Sequence, residues 1–308
     1  ISKETRDKIL KIIEENQYRP NKIAKGLATK KTYTLAIIIS DIRNTFFTDI
    51  YRGVEDYSRK KGYSIILSST YDNQQIEYEC LNMLAEKMID GIVLIPSSYT
   101  LMNKKVYKSL NTPIVLVDKN IPYINAKSLI KVDNKKGIFN SVKHLVDNGD
   151  KSILYISGPL KNSISEERLI GYKEALKYHN LEFSYENVVE GEYKSEWAYN
   201  FIKSKDDINY TAICCANDLI AIGVIQALKD KNINVPNDIS IVGFDDIEIS
   251  KLIYPSLTTI RQPAYDMGVK AAEVLIDVID NKYDKDFKTI VFEPNLVTRE
   301  STSSITQK

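Results

Sequence analysis

Short β-branched segments alternate with amphipathic segments of helical length along most of this 308-residue chain. In the first half, four runs have the composition of strands: residues 35–40, 63–69, 91–96 and 113–118. Between the first two, residues 46–61 place apolar side chains at three- and four-residue intervals and end before Gly62, which predicts a helix. Strand and helix alternation of this kind predicts parallel sheets joined by right-handed crossovers.

The same alternation resumes after Asp133, with predicted strands at residues 152–157, 188–191, 212–216 and 240–244. Two blocks of this length fit two doubly wound α/β domains better than one long sheet. The end of the chain is less regular, because residues 258–263 precede a predicted helix over 264–280 and strand-like residues at 289–297. We expect this late crossing to tie the two domains together.

Positive charge is concentrated at the start of the chain. Residues 1–33 have a net charge of +5, whereas residues 34–308 have a net charge of −4. Within residues 19–33 there are five basic side chains and no acidic one. Lys and Arg at this density favour a polyanion, because they neutralise phosphates and release condensed counterions. Nucleic acid is therefore the leading candidate partner, and the alternative is an ordinary solvated basic surface.

Composition excludes several classes of protein. Three cysteines cannot build a disulfide framework, which favours a reducing compartment and a cytoplasmic location. No apolar stretch approaches the roughly 20 residues of a membrane span, so no membrane partner is expected. The chain begins at Ile1 inside a helical pattern, and we expect a preceding segment.

Enzyme motifs are not found. The sequence has no Gly-x-Gly-x-x-Gly after its first strand, no Walker loop and no Gly-x-Ser-x-Gly. His144 lies in a helical window as a structural histidine would, and Cys214 and Cys215 point to opposite faces of a strand, which disfavours a shared metal. We predict no catalytic residue, no metal and no cofactor.

Several motifs, in order along the whole chain, resemble the LacI/GalR family of bacterial transcription regulators. They are Tyr-Arg-Pro-Asn at 18–21, Ala-Lys-Gly-Leu at 24–27, Asp-Ile-Arg-Asn-Thr-Phe-Phe at 41–47, Val-Asp-Asn at 132–134, Arg-Leu-Ile-Gly-Tyr at 168–172, Ala-Asn-Asp at 216–218, Val-Pro-Asn-Asp-Ile-Ser-Ile-Val-Gly-Phe-Asp-Asp at 235–246 and Leu-Thr-Thr-Ile at 257–260. The resemblance implies a periplasmic-binding-protein-like core preceded by a helix-turn-helix headpiece and a hinge helix.

The resemblance also implies a division of the chain. Residues 1–18 resemble the end of the headpiece, with a third helix whose apolar face holds Ile9, Leu10, Ile12 and Ile13; the recognition helix of the family is absent. Residues 19–33 resemble the hinge. The two subdomains of the core would be residues 34–132 with 262–291, and residues 133–261 with 292–308.

In the family, the hinge folds into a helix in the minor groove of operator DNA. Pro20 and Asn21 suit the first turn of a helix, and Gly26 lowers helix propensity by about 1 kcal/mol, which fits a segment that orders only on DNA. Leu27 resembles the family's leucine wedge, which enters a base step and kinks the duplex; the alternative is a core leucine. The predicted DNA-binding residues are Arg19, Asn21, Lys22, Ala24, Lys25, Leu27 and Ala28.

Ligands in doubly wound folds bind beyond the carboxyl ends of strands, where this chain has amide, carboxylate, guanidinium and aromatic side chains suited to sugars. By resemblance, the predicted effector-binding residues are Asn44, Phe46, Phe47, Asp118, Lys119, Arg168, Tyr193, Asn217, Asp245 and Gln262. Structural alternatives stay open: Asp118 and Asp245 as helix caps, Phe47 as core and Arg168 as a structural cation. Many relatives have Pro where this chain has Thr45, and Arg where it has Lys119, which loses the planar fork.

The sequence therefore predicts a homodimeric transcription factor, and specifically a repressor of a carbohydrate-utilisation operon. A sugar, sugar phosphate or sugar acid would bind between two lobes and change the affinity for a pseudo-palindromic operator. A protein co-regulator is possible, as in some relatives. The main alternative is a periplasmic-type sugar-binding protein for transport, which has no use for a basic hinge. A nucleotide-dependent enzyme would need a phosphate cradle that the sequence does not show.

Overall fold

Two parallel β-sheets, each with six strands, organise the chain. The computed structural model describes residues 2–15, 31–97, 107, 110–121, 123–283 and 286–303. The first sheet contains β1 (Thr34–Ile39), β2 (Ser64–Ser69), β3 (Gly91–Leu94), β4 (Ile114–Val117), β5 (Ser128–Val132) and β11 (Lys288–Phe292). Its strand order is β11-β5-β4-β3-β1-β2, and every pair is parallel.

The second sheet repeats this arrangement. It contains β6 (Ile153–Ser157), β7 (Val188–Glu190), β8 (Ala212–Cys215), β9 (Ser240–Asp245), β10 (Thr258–Arg261) and β12 (Asn295–Val297). The order is β12-β10-β9-β8-β6-β7, with β12 antiparallel to β10. Because the chain crosses between the sheets more than once, the two lobes are joined side by side. The predicted class of two parallel-sheet α/β domains is confirmed, and the subdomain boundaries stay a prediction.

Helices cover the faces of both sheets. They are α1 (Lys3–Glu15), α2 (Thr45–Lys60), α3 (Gln74–Glu86), α4 (Asn134–Asp147), α5 (Ser163–Tyr178), α6 (Ser195–Lys203), α7 (Asp218–Asp230) and α8 (Ala264–Ile279). Buried aliphatic side chains fill the space between helices and sheets, with Ile37 and Ile39 in the first lobe and Leu154 and Ile241 in the second. This burial is the main favourable term in the stability of each lobe.

Two strands were not predicted from the sequence. β5 follows a polar stretch without a clear alternation, and β10 lies in the stretch that the sequence shows as irregular. Thr258, Thr259 and Ile260 are all buried in β10, because the strand is paired on both sides, with β9 and with β12. Burial by neighbouring strands, rather than a pattern in the segment itself, makes this stretch a strand.

Helices α2 and α8 of the first lobe pack unusually closely. A Cβ on Gly53 of α2 would lie 2.1 Å from the Tyr265 carbonyl oxygen, and one on Gly268 of α8 would lie 2.0 Å from the Ile50 carbonyl oxygen. Only glycine permits this approach of two helix backbones. The pair therefore forms a rigid layer against the first sheet.

The start of the chain, where the sequence predicts DNA binding, is described only in part. Helix α1 is present, and of the predicted apolar face the described side chains Ile9 and Ile12 are exposed. The predicted hinge residues Arg19, Asn21, Lys22, Ala24, Lys25, Leu27 and Ala28 lie outside the described residues. Within the described ranges, no helix combines the length and apolarity that crossing a membrane requires.

Candidate functional site

Two buried aspartates lie at the carboxyl ends of strands, one in each lobe. Asp118 follows β4, and Asp245 is the last residue of β9. Each side chain is 7% exposed, and each residue adopts a positive φ, 76° for Asp118 and 127° for Asp245. Side chains other than glycine rarely adopt this backbone conformation, and such strain is concentrated at functional sites. Neither aspartate caps a helix, so the capping alternative is wrong for both.

Arg168 interacts electrostatically with both carboxylates. It extends from α5, is buried, and donates from Nε to Asn134 Oδ1 at 2.8 Å and from Nη1 to the Ala216 carbonyl oxygen at 2.5 Å. Its guanidinium carbon lies 3.8 Å from the centroid of the Phe244 ring, within cation–π range. Nη2 donates to no residue that the structure describes. The guanidinium is therefore fixed in place with one donor edge remaining for a ligand.

Burial raises the pKa of both aspartates. For Asp118, desolvation is the largest cause, and Lys119 and Arg168 oppose it. For Asp245, desolvation again dominates and raises the pKa well above its ordinary value, while Arg168 lowers it and Asp218 raises it further. Both carboxylates thus interact electrostatically with the same guanidinium. The site combines partly compensated charges of both signs in a desolvated environment.

Gln262 is a further buried polar residue of the site and contacts Asp245. Its Nε2 donates to Asp245 Oδ1 at 2.7 Å, and its backbone N–H donates to the Asp245 carbonyl oxygen at 3.3 Å. Gln262 is 4% exposed, and its Oε1 accepts no hydrogen bond from the described part of the chain. Such an acceptor is costly to leave unpaired, so it marks a position for a ligand donor.

Tyr193 and Asn217 contribute from the second lobe. Tyr193 exchanges a hydrogen bond of 2.8 Å with Ser165, and its pKa is raised by burial, with smaller effects from Arg168, Asp118 and Asp245. Its ring lies so close to Gly158 that a Cβ there would be 2.2 Å from Cζ. Asn217 caps α7 by accepting from the Ile220 N–H at 2.9 Å. The backbone carbonyl oxygen of the preceding residue, Ala216, accepts from Arg168, so this turn also positions the guanidinium.

The remaining predicted residues lie on the first-lobe side. Asn44 caps α2, where its side chain accepts from the Phe46 N–H. Phe46 is buried in the first-lobe core, whereas Phe47 is half-buried and meets the Phe46 ring edge-on. Lys119 is buried beside Asp118, and its side-chain ammonium makes no hydrogen bond to the described residues. No described hydrogen bond joins Asn44, Phe46 or Phe47 to the Arg168 group.

Sequence reasoning missed three residues that position the site. Asn134 and Phe244 hold the guanidinium of Arg168, and Ser165 holds the hydroxyl of Tyr193. Asn134 and Phe244 lie within the motifs at 132–134 and 235–246, and Phe244 directly precedes the predicted Asp245. The motif context is the signal that could have identified these two. Ser165 has no comparable signal in the sequence.

The arrangement is suited to binding a polyhydroxylated molecule. Asp118, Asp245 and Gln262 Oε1 supply acceptors, Arg168 Nη2 and Lys119 supply donors, and Tyr193 supplies aromatic surface. The place of Phe47, which packs against the first-lobe core, stays a prediction. Two open surface cavities, of about 620 and 550 Å³, lie elsewhere, beside Phe183 and beside Lys31. We place the site at the charged cleft instead, because buried polar groups of both lobes, Asp118 from the first and Asp245 and Arg168 from the second, interact there. Among the described residues, no cluster of His, Cys, Asp and Glu could hold a metal ion.

Comparisons with known proteins are consistent with this geometry. Residues 142–302 match the periplasmic binding protein-like domain family. The chain is 36% identical to catabolite control protein A of Priestia megaterium, over 97% of this chain and 90% of that protein. It is 31% identical to the ribose operon repressor of Haemophilus influenzae, over 99% and 92%. The structure of the transcription regulator CcpA of Lactococcus lactis aligns with a TM-score of 0.82 and 31% identity, covering 88% of this chain and 99% of that one.

Proposed function

The chain belongs to the LacI/GalR family of bacterial transcription regulators, and we propose that it represses carbohydrate-utilisation genes in response to a sugar-like effector bound between its lobes. Like its relatives, it is a DNA-binding regulator and not an enzyme.

One observation carries the effector part of the proposal. Asp118, Lys119, Arg168 and Gln262 each keep at least one side-chain donor or acceptor that pairs with no described residue, and of these atoms Gln262 Oε1 is fully buried. An unpaired buried acceptor of this kind costs about 1–3 kcal/mol. Hydroxyl groups both donate and accept, so a single polyol can pair with all four. Sugars, sugar phosphates and sugar acids are therefore the effector classes that we propose.

Charge favours a neutral member of these classes. Two carboxylates, Asp118 and Asp245, face two cations, Lys119 and Arg168, and each carboxylate is stabilised by one of the cations or both. Within this group of four side chains the charges balance, and no positive charge is left over for a phosphate, which prefers a surplus of Lys and Arg. A neutral sugar adds no charge to this balance. We therefore propose that neutral sugars bind more tightly than sugar phosphates.

The DNA part of the proposal depends on the sequence before Lys31. The predicted hinge residues, together with the headpiece, would contact a pseudo-palindromic operator through a two-fold dimer. Exposed apolar side chains in the second lobe support a homodimer, because Leu252 is 75% exposed and Tyr254 is 87% exposed in the same loop. We place the protein in the cytoplasm, where it shares a compartment with its operator. A protein co-regulator is a further proposed partner.

Allosteric control requires the effector to bind the two states of the protein unequally. A difference of about 1–3 kcal/mol between the DNA-competent and incompetent arrangements changes operator affinity by roughly 5- to 150-fold. The cleft supplies the difference, because Asp118 belongs to the first lobe and Asp245 and Arg168 to the second. A ligand that bridges these residues stabilises one lobe arrangement over others. A transport protein would share this cleft but not the basic segment.

A thermal-shift screen tests the proposal. The chain is heated with a panel of neutral sugars, sugar phosphates and sugar acids; a ligand present at 100 times its dissociation constant adds about 2.7 kcal/mol to stability. We expect a neutral sugar to raise the melting temperature of the wild type. The same sugar should leave Arg168→Ala unshifted and should still shift the exposed-surface control Lys177→Gln. A well-folded protein that no panel member stabilises contradicts the sugar-effector proposal.

A further inference from the structure

Two carboxylates of the core bind Lys31, Thr32 and Tyr33, the last residues of the basic segment at 19–33 and the part of it that the structure describes. Asp90 accepts hydrogen bonds from the Thr32 N–H at 2.8 Å, the Thr32 hydroxyl at 2.9 Å and the Tyr33 N–H at 2.8 Å. Asp280 accepts from Lys31 Nζ at 2.7 Å. We call Asp90 and Asp280, with the three residues that they hold, the exit clamp.

Lys31 is bound in the exit clamp by more than one interaction. Its ammonium lies 5.3 Å from the ring centroid of Tyr33 and 5.6 Å from that of Tyr63, in addition to its ion pair with Asp280. The clamp borders the open cavity of about 550 Å³, whose walls include Asp90 and Asn281. One of the basic side chains that the sequence assigns to a polyanion therefore binds the protein's own core. It is committed to positioning the chain.

Asp280 is also the end of helix α8. Its backbone N–H donates to the Ile276 carbonyl oxygen and closes the helix. The last turn of α8 has no basic residue of its own, so the negative end of the helix dipole and the Asp280 carboxylate need cations from elsewhere. Lys31 and Lys282 supply them, at 2.7 and 3.0 Å. The position of Lys31 is thus tied to the position of this helix end.

The other end of α8 begins in the effector cleft. Gln262 contacts Asp245, and the N–H of Ala264, the first helical residue, donates to the Gln262 carbonyl oxygen at 2.8 Å. Sixteen residues separate the ends of α8, a length of about 24 Å. The glycine contacts of Gly53 and Gly268 hold α8 against α2, so the helix is expected to move as one body.

We propose that the exit clamp sets where the DNA-binding segment leaves the core, and that α8 conveys changes at Gln262 in the cleft to this clamp. Asp90 and Asp280 are positioning residues in this scheme, since neither touches the effector. The inference rests on the proposed function for its biological meaning, because only a DNA-binding segment gives the clamp something to control. The physical link between Gln262 and Lys31 is independent of that function.

Hydrogen exchange of this chain, without DNA or effector, tests the link. The Thr32 and Tyr33 amides are protected by Asp90, and the amides of β1 serve as the internal reference. We expect Asp280→Asn to speed exchange at Thr32 and Tyr33 by roughly tenfold relative to β1, and Lys282→Gln to leave it unchanged. Lys282 is the matched control because it also pairs with Asp280 but is not one of the three residues, Lys31 to Tyr33, that the exit clamp holds.

The decisive variant lies at the far end of the helix. Gln262→Ala should speed exchange at Thr32 and Tyr33 severalfold, and so should Gln262→Glu, which keeps the shape of the side chain and repels Asp245. Tyr193→Phe, which removes a cleft hydroxyl in the second lobe, should not. Exchange at the clamp that stays at the wild-type rate in both Gln262 variants, or that rises only in proportion to β1, overturns the proposal. Because no DNA or sugar is present, this failure is distinct from a failure of the thermal-shift screen.

Discussion

The guanidinium of Arg168 lies 3.8 Å from the centroid of the Phe244 ring, so the position of the cation depends on the position of an apolar side chain. Gly137 of α4 borders the same ring, since a Cβ at that position would lie 2.5 Å from Phe244 Cε2. Gly137 thus packs against Phe244, and Phe244 packs against Arg168, so these contacts lead from the core of the second lobe to the cleft. Packing beneath the ring controls the geometry of the binding cation.

Gly137→Ala should displace the Phe244 ring and with it Arg168. Overpacking of a core by one methyl group costs about 1–3 kcal/mol, and we expect effector affinity to fall roughly tenfold as well. Denaturant unfolding and isothermal titration with the sugar identified by screening measure the two effects. Gly91→Ala is the control, because its Cβ would lie 2.8 Å from Leu275 Cδ1 and would overpack the core of the first lobe without touching Phe244 or Arg168. Equal affinity losses in both variants would contradict this account.

Two substitutions of Arg168 should separate the contribution of its planar guanidinium from the contribution of its charge. Arg168→Ala removes the cation that stabilises Asp118 and Asp245 and should abolish the effector response while the lobes stay folded. Arg168→Lys keeps the charge but loses the planar fork that contacts Asn134 and Ala216, so we expect binding that is weakened but measurable. Operator-binding titrations with and without the sugar give the response. An unaltered response in Arg168→Ala would remove this residue from the site.

Asp245→Asn should weaken effector binding and raise the stability of the folded protein at neutral pH. Because burial raises the pKa of Asp245 in the folded state, folding is favoured below the ordinary carboxyl pKa and loses stability as the pH rises through the raised value. The neutral amide removes this loss, so the variant should be more stable than the wild type at neutral pH, by on the order of 1 kcal/mol. Thermal unfolding between pH 4 and pH 8 should show a flatter profile for the variant. A steeper decline with rising pH in the variant would contradict the assignment.

The sequence predicts that Asp118 and Asp245 lie at strand ends, but it does not predict their strained backbone conformation. Asp118 and Asp245 follow β-branched runs, and the carboxyl ends of parallel strands meet at one edge, so their location in the cleft follows from the pattern. Their positive φ values depend on the loops around them. Phe46 and Phe47 are adjacent aromatic residues at the start of a helix, and the sequence alone does not decide which one the core buries.

Contacts between distant parts of the chain account for most of what the sequence did not show. The basic residues at 19–33 appear equivalent as charges, yet Lys31 is paired with Asp280, which lies 249 positions away. β10 is a strand because β9 and β12 flank it. The periodicity of a segment reports its own amphipathic character and not the partner that it meets in the fold. The resemblance supplied the site residues, whereas the structure shows which of them are held in place and by what.

Leu27 and Lys25, which lie outside the described residues, should affect operator binding in different ways. Leu27→Ala removes the proposed wedge between bases, so we expect weaker operator binding at every salt concentration with the same dependence on salt. Lys25→Gln removes one phosphate contact, which should lower the slope of log affinity against log salt by about 0.9. Operator titrations of the full gene product over a range of salt concentrations separate the two effects. Effector affinity should be unchanged in both variants; a matching loss of effector affinity in Leu27→Ala would place this leucine in the core instead of on DNA.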